Sequence, residues 1–403
     1  MSEPSRAGRW LVLLGIAVLS FNLRPAAVSV GPVLDDIRDG LAMSGAEAGV
    51  LTSLPVIAFA VFGAAAPRLA GLLGPHRLTL ASLLSVAAGL WGRTLVDDVP
   101  VFLALSLLGL AGMATANVLL PSLVKRHFPE HVGTVTAIYT TALAIGLTSA
   151  SVLTVPVGEQ YDGWRSGLLV WAITAAIAAI PWLALLRHDR RIEHDEAAEH
   201  PLLGLRQVGR TRLGWLMAGF FGLQSLQAYA IFGWFAAIYR DAGFSGTTAG
   251  LLLGVITGVN IPLSFVVPSL AGRMTSVAPL VVGLFACYPI GYVGMILAPA
   301  GGAVVWAVLF GVAIATFPLI LTLIGLRSRT PSGTAALSGF TQSVGYLAAA
   351  IGPFTVGVVH DASGGWTLPL LLLLALSLPL LPVGLAVSRS TYVEDELIRS
   401  RGS

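Results

Sequence analysis

The chain has 403 residues, 56% of them apolar and only 11% charged, with a net charge of +3. A soluble domain carries roughly a quarter charged residues, so this composition cannot clothe a soluble protein of such length, and the recurrent apolar runs indicate a polytopic membrane protein. The single cysteine, Cys287, excludes an internal disulfide, a redox thiol pair and a cysteine metal cluster.

The opening "MSEPSRAGRWLVLLGIAVLS" starts like a signal peptide. Its apolar region continues past Ser20 with no small-residue cleavage pattern, so it reads as the first span. Runs long enough to cross the hydrocarbon as helices are predicted at 10–34, 47–70, 77–96, 100–124, 132–156, 165–186, 213–238, 247–270, 277–298, 303–326, 333–358 and 366–388. The alternating pattern of a membrane β-barrel is absent. One long polar break, 187–212, follows the sixth run. It divides the chain into an N-terminal six-helix bundle (1–190), a cytoplasmic linker (191–212) and a C-terminal six-helix bundle (213–403). The expected fold class is an all-α membrane protein with two pseudo-symmetric bundles.

Basic residues set the expected orientation. With both termini in the cytoplasm, 18 Lys and Arg fall on the inner side and 4 (Arg38, Arg93, Arg165 and Arg240) on the outer side. The positive-inside rule then predicts a multi-pass protein of the inner (plasma) membrane with both termini cytoplasmic.

The halves repeat. "PRLAG" at 67–71 returns as "PSLAG" at 268–272, "FNLR" at 21–24 as "FGLQ" at 221–224, and "GT" at 133–134 at 333–334. Offsets near 200 at three places indicate duplicated six-helix units, each parallel to the other across the membrane.

Twelve helices split six and six resemble the major facilitator superfamily. "FNLRPAAVSVGPVL" at 21–34, "ANVLLPSLVKRHFP" at 116–129, "GTVTAIYTTALAIG" at 133–146 and "GWRSGLLVW" at 163–171 are similar to its cyanate permease and 2-nitroimidazole transporter branch. That resemblance implies a secondary active or facilitative transporter. It would move a small planar anionic or nitro-bearing solute by alternating access around a central site. A broader drug exporter of the same superfamily is the alternative. One departure stands out. The loop between helices two and three reads "PRLAGLLGPHR", with Gly71 and Leu72 where the superfamily's usual acid and first base stand.

Arg24 lies 14 residues after Trp10, about 21 Å along the first helix. A guanidinium at such depth costs a few kcal/mol. All 20 acidic residues fall in loops, tails or span ends, which weakens the reading of a buried structural ion pair. Pro25 removes an amide hydrogen and frees the Phe21 carbonyl. A broken, charged helix facing a wet cavity is how carriers build a midplane site, so Arg24 is expected to meet the solute.

The amides extend this expectation. Asn22, Asn117 and Asn260 are the only asparagines, and all lie within spans, as do Gln224, Gln227 and Gln342. Asn22, two residues from Arg24, points away from it and is read as structural. Gln224, Gln227 and Trp234 share a helix-seven face with Ile231, and Asn260 shares one with Thr257 and Ser264. In the superfamily, helices 1, 4, 7 and 10 line the cavity, with 2, 5, 8 and 11 beside them. The expected solute-binding residues are therefore Arg24, Asn117, Tyr139, Gln224, Gln227, Trp234, Asn260 and Gln342. Tyr139 would stack on a planar solute or donate to an anion. Interhelical hydrogen bonding is the other reading of the amides, and plain packing that of Tyr139, Tyr229 and Phe340.

Arg93 and Asp97 are expected to pair at i, i+4, and Asp162, Trp164 and Arg165 to form an interfacial anchor. No carboxylate or histidine is mid-span for a proton relay. No nucleotide loop or metal-spaced cluster occurs, so neither a catalytic site, a metal nor a cofactor is expected. The expected partners are a small-molecule solute and the lipid bilayer, not nucleic acid, with the chain acting as a monomer.

Overall fold

The structure, a computed structural model, describes residues 6–161, 163–195 and 203–402. Among these there is no strand. Every predicted run is helical. In the first half these are α1 (Arg6–Asn22, resumed as Pro25–Val28 and a 3-10 turn Gly31–Val33), α2 (Gly45–Ala58, passing through a π turn Phe59–Gly63 into Ala64–Leu73), α3 (Pro75–Gly92), α4 (Val99–His127), α5 (Val132–Gln160) and α6 (Trp164–Asp195). The second half has α7 (Arg212–Asp241), α8 (Gly246–Ala271), α9 (Ala278–Leu297), α10 (Ala303–Ile314 and Thr316–Leu326), α11 (Pro331–Ser363) and α12 (Thr367–Ser377 and Leu380–Ser388). Length and composition suffice for crossing a membrane in 10 spans, α3 and α7 being the two outside that count.

The predicted end of the sixth helix falls short. Helix α6 continues through Asp195, and a four-residue helix, Leu205–Val208, precedes α7. The remainder of the linker, 196–202, lies outside the described residues, as does Asp162.

Two compact units form. One comprises Met1–Pro129, Ile138–Leu205 and Thr330–Gly339; the other comprises Glu130–Ala137, Arg206–Arg329 and Phe340–Ser403. In the first, α3 packs against α4 and α6, α1 against α6 and α4, and α2 against α4. In the second, α9 packs against α10 and α12, α7 against α12 and α10, and α8 against α10. Adding six to each helix number turns the first set into the second, so the sequence repeat is also a repeat of packing.

The repeat reaches the caps. Ser44 Oγ accepts from Glu47 N at 3.3 Å to start α2, and Ser245 Oγ accepts from Thr248 N at 3.2 Å to start α8. A hydroxyl at the N-cap meets an amide that the first turn leaves without a helical partner. Each cap follows a turn with positive φ, at Ala42 (49°) and at Gly243 (94°). Only glycine adopts that region freely, so the first copy holds the turn under some strain.

Candidate functional site

Helix α1 breaks where Pro25 predicts. Leu23 N donates to Ser20 O at 3.2 Å, a tightened i−3 bond, and Arg24 takes φ −96° and ψ −37° at the junction. Ala27 N and Val28 N both donate to the Arg24 carbonyl, at 3.1 and 3.0 Å, and restart the helix. Proline supplies no N–H to the Phe21 carbonyl. That carbonyl lies against Gly146 of α5, where a Cβ would come 2.0 Å from Phe21 O. The close approach admits only hydrogen. Gly146, at the end of the segment 133–146, is thus what lets α5 cover the break, a role that nothing local in the sequence marks.

Arg24 is half-buried at this break. Asn22 is turned back on its own helix, its Nδ2 donating to Val18 O at 2.8 Å, as expected of a structural residue. Asn117 on α4 and Tyr139 on α5 are buried in the same unit.

The second unit holds the other expected residues. Helix α10 is broken at Ala315, a feature the sequence reading did not anticipate. Pro318 supplies no N–H to the Ile314 carbonyl, and Ala315 N turns to Val312 O instead of Gly311 O. The two carbonyls left over are those the amides meet. Gln224 Nε2 donates to Ile314 O at 3.5 Å, and Asn260 Nδ2 donates to Gly311 O at 3.4 Å. Both bonds are at the long limit for N–H···O, where the modal distance is about 2.9–3.0 Å. Asn260 Oδ1 also accepts from Ser264 Oγ at 3.2 Å, on the expected shared face.

Gln227 is bound differently. Its Nε2 donates to Leu373 O on α12 at 2.9 Å, and its Oε1 accepts from the Tyr292 hydroxyl of α9 at 2.5 Å. Trp234 Nε1 donates to Pro353 O of α11 at 2.9 Å, and its ring packs on His360 and Trp366. Both residues thus bond across to other helices, which for Gln227 is the alternative given above. Gln342 is buried on α11. Of the weaker aromatic candidates, Phe340 meets Trp215 edge to face at 5.3 Å, and Tyr229 is exposed.

The expected Arg93–Asp97 pair is not formed. Helix α3 ends at Gly92, so i, i+4 spacing no longer places the two side chains together. Asp97 instead pairs with Arg165, whose Nη1 also donates to Thr94 O at 2.9 Å and Val96 O at 3.2 Å, with the guanidinium over the Trp164 ring. Arg165 and Trp164 therefore tie the start of α6 to the loop after α3. Arg93 is wholly buried, with Nη2 donating to Ser29 Oγ at 3.2 Å. An uncompensated buried cation costs several kcal/mol, so this contact needs more company than one hydroxyl.

Comparison with known proteins follows the same line. A profile of the Major Facilitator Superfamily matches residues 11–353. An uncharacterized transporter of Bacillus subtilis, YycB, is 37% identical over 95% of this chain and 94% of its own. The 2-nitroimidazole transporter of Escherichia coli is 34% identical over 96% of this chain and 98% of its own. The Escherichia coli cyanate transport protein CynX is 27% identical over 88% and 91%. Among solved structures, the proton:xylose symporter XylE superposes with a TM-score of 0.78 over 98% of this chain and 100% of its own. At 12% identity that likeness shows the fold alone.

Proposed function

The chain belongs to the Major Facilitator Superfamily, and on that premise we propose that this membrane transporter carries a small planar solute, anionic or nitro-bearing, by alternating access. The observation that carries the reading is Arg24, a guanidinium half-buried at a break in a membrane-spanning helix. Intramembrane charge at a discontinuous helix is the usual mark of a carrier site. The named relatives support the solute class: one is a 2-nitroimidazole transporter and another a cyanate transport protein. A planar guanidinium offers two parallel N–H donors to a carboxylate-like or nitro group, where an ammonium offers a point charge.

Asn117, Tyr139 and Gln342 are proposed to add uncharged polar contacts. Gln224 and Asn260 are proposed to join them because their bonds to the α10 carbonyls are long and weak, so exchanging them for a solute costs little. Gln227 and Trp234 hold short bonds and are left to the scaffold. A broader exporter of cationic drugs fits less well, since the proposed site has a cation of its own.

The test is direct binding. Cyanate, other small anions and nitroheterocycles are titrated into purified wild type, Arg24→Ala and Arg24→Lys. Loss of one charge-assisted contact should weaken binding roughly 10- to 150-fold. Lysine should rescue little of it. Unchanged affinity in a correctly folded Arg24→Ala protein removes Arg24 from the site.

A further inference from the structure

Where the linker meets α7, three arginines stand within seven residues: Arg206, Arg210 and Arg212. All three are exposed, and among the described residues none of their guanidinium groups has a hydrogen bond, ion pair or ring contact. The backbone beneath them is pinned. Arg210 N donates to Gln207 O at 3.0 Å and Thr211 N to Val208 O at 2.9 Å, and Val208 is wholly buried. Thr211 Oγ1 accepts from Gly214 N at 3.0 Å and so caps α7. One carboxylate comes close, Glu396, whose Oε2 accepts from Leu213 N at 3.0 Å. It pairs with none of the three arginines, and the first turn of α7 holds no acid, so the patch stays cationic.

Trp215, one turn into α7, is 58% exposed. Its Nε1 donates to Gly209 O at 2.9 Å, and its ring meets Phe340 edge to face. Residues 212 and 215 share a helix face, about 4.5 Å apart along the axis. An exposed indole at the polar end of an apolar run marks the headgroup level of a bilayer, and it sets Arg212 and its neighbours at that level too. An exposed arginine rests in water at little cost, so charge alone demands no partner. Number and height distinguish this patch. One guanidinium beside an anionic leaflet is worth about a 5-fold enrichment of anionic lipid, and three together on the order of 100-fold. The guanidinium fork also matches phosphate oxygens in pairs. We propose that Arg206, Arg210, Arg212 and Trp215 form a docking surface for the headgroup of an anionic phospholipid of the phosphatidylglycerol class. The lipid holds the start of α7 at headgroup level, on the side that the positive-inside rule makes cytoplasmic. The surface rests on none of the proposed solute contacts.

The probe is phosphatidylglycerol brominated on its acyl chains, since bromine quenches a neighbouring indole. Full-length protein is reconstituted in phosphatidylcholine nanodiscs with a rising fraction of the probe. The Trp215 signal is read as the difference from the matching Trp215→Phe protein. Half-quenching should need far less brominated phosphatidylglycerol than brominated phosphatidylcholine. Each of Arg206→Gln, Arg210→Gln and Arg212→Gln should raise the half-quenching fraction about 5-fold, and the triple variant should no longer distinguish the two lipids. Lysine at all three positions keeps the charge and should keep the preference; its loss there would show a packing effect and overturn the proposal. Equal quenching of wild type by both lipids overturns it, as does an unshifted triple glutamine variant. Should that variant fail to insert, the absence of a shift in every single variant overturns it equally.

Discussion

Gly146→Ala is the sharpest test of how the α1 break is held. A Cβ at 146 would lie 2.0 Å from Phe21 O, 2.9 Å from Phe21 C and 3.1 Å from Phe21 Cα. A comfortable C···O approach is about 3.3 Å, so α5 would have to retreat by about 1.3 Å. Every atom in the way is backbone, so no rotamer change relieves the clash. Overpacking costs typically 1–3 kcal/mol, and this substitution belongs at the upper end, about 3 kcal/mol. Gly345 on α11 supplies the comparison. Its Cβ would lie 2.6 Å from Phe221 Cδ1 and 3.1 Å from Gly222 N. A ring can swing aside where a carbonyl cannot, so Gly345→Ala should cost about 1–2 kcal/mol. Gly219 on α7 has nothing within 4 Å, and Gly219→Ala should gain about 0.5–1 kcal/mol from helix propensity alone. Unfolding in detergent ranks the three, and solute titration follows the effect on Arg24, three residues past Phe21. A Gly146→Ala protein as stable as wild type, binding solute equally well, would refute the reasoning.

Gln227→Leu should destabilise the second unit by about 1–3 kcal/mol, since it leaves the buried Tyr292 hydroxyl without its acceptor and the Leu373 carbonyl without its second donor, with solute affinity in the folded protein unchanged; unfolding and binding measured together check the split. Asp97→Asn should cost under about 1 kcal/mol, because its side chain is 88% exposed, whereas Arg165→Ala should cost about 1–2 kcal/mol by releasing the Thr94 and Val96 carbonyls as well; equal effects in an unfolding assay would contradict this. Cysteines placed at 190 and 241 in a Cys287→Ala background should react with impermeant reagent from opposite faces of the membrane, the former from the cytoplasm; labelling from one face would overturn the proposed placement of both termini inside.

What the sequence made legible follows from how local each signal is. The helical runs were readable because apolar length and composition decide a membrane crossing, and ten of the twelve meet that measure. The α1 break was readable because Pro25 removes a particular N–H. Pro318 carries the same signal for α10, yet without a neighbouring charge it went unread among many span prolines. The Arg93–Asp97 pairing failed because i, i+4 spacing presumes a helix, and the helix stops at Gly92. The destinations of the amides were not legible at all. They depend on which carbonyls a different helix leaves unpaired, and that is settled only when α7 and α8 pack on α10.

The two copies of the unit keep one helix contact and differ in which helix is broken. Phe21 meets Gly146, and 200 residues on Phe221 meets Gly345, so the contact between the first and fifth helix of each half is kept. Arg24 corresponds to Gln224 at that same offset. The residue that follows differs: Pro25 in the first copy, Ser225 in the second. Serine keeps its N–H, so α7 runs unbroken from Arg212 to Asp241, and its break-making role passes to Pro318 in α10. Gln224, on an intact helix, reaches across to the carbonyl that Pro318 frees; Arg24 sits on the broken helix itself. An amide can be satisfied by one freed carbonyl, whereas a guanidinium carries five donors and a charge that a single carbonyl cannot offset. The half with the broken first helix therefore holds the cation, and the corresponding position of the other half holds a neutral amide.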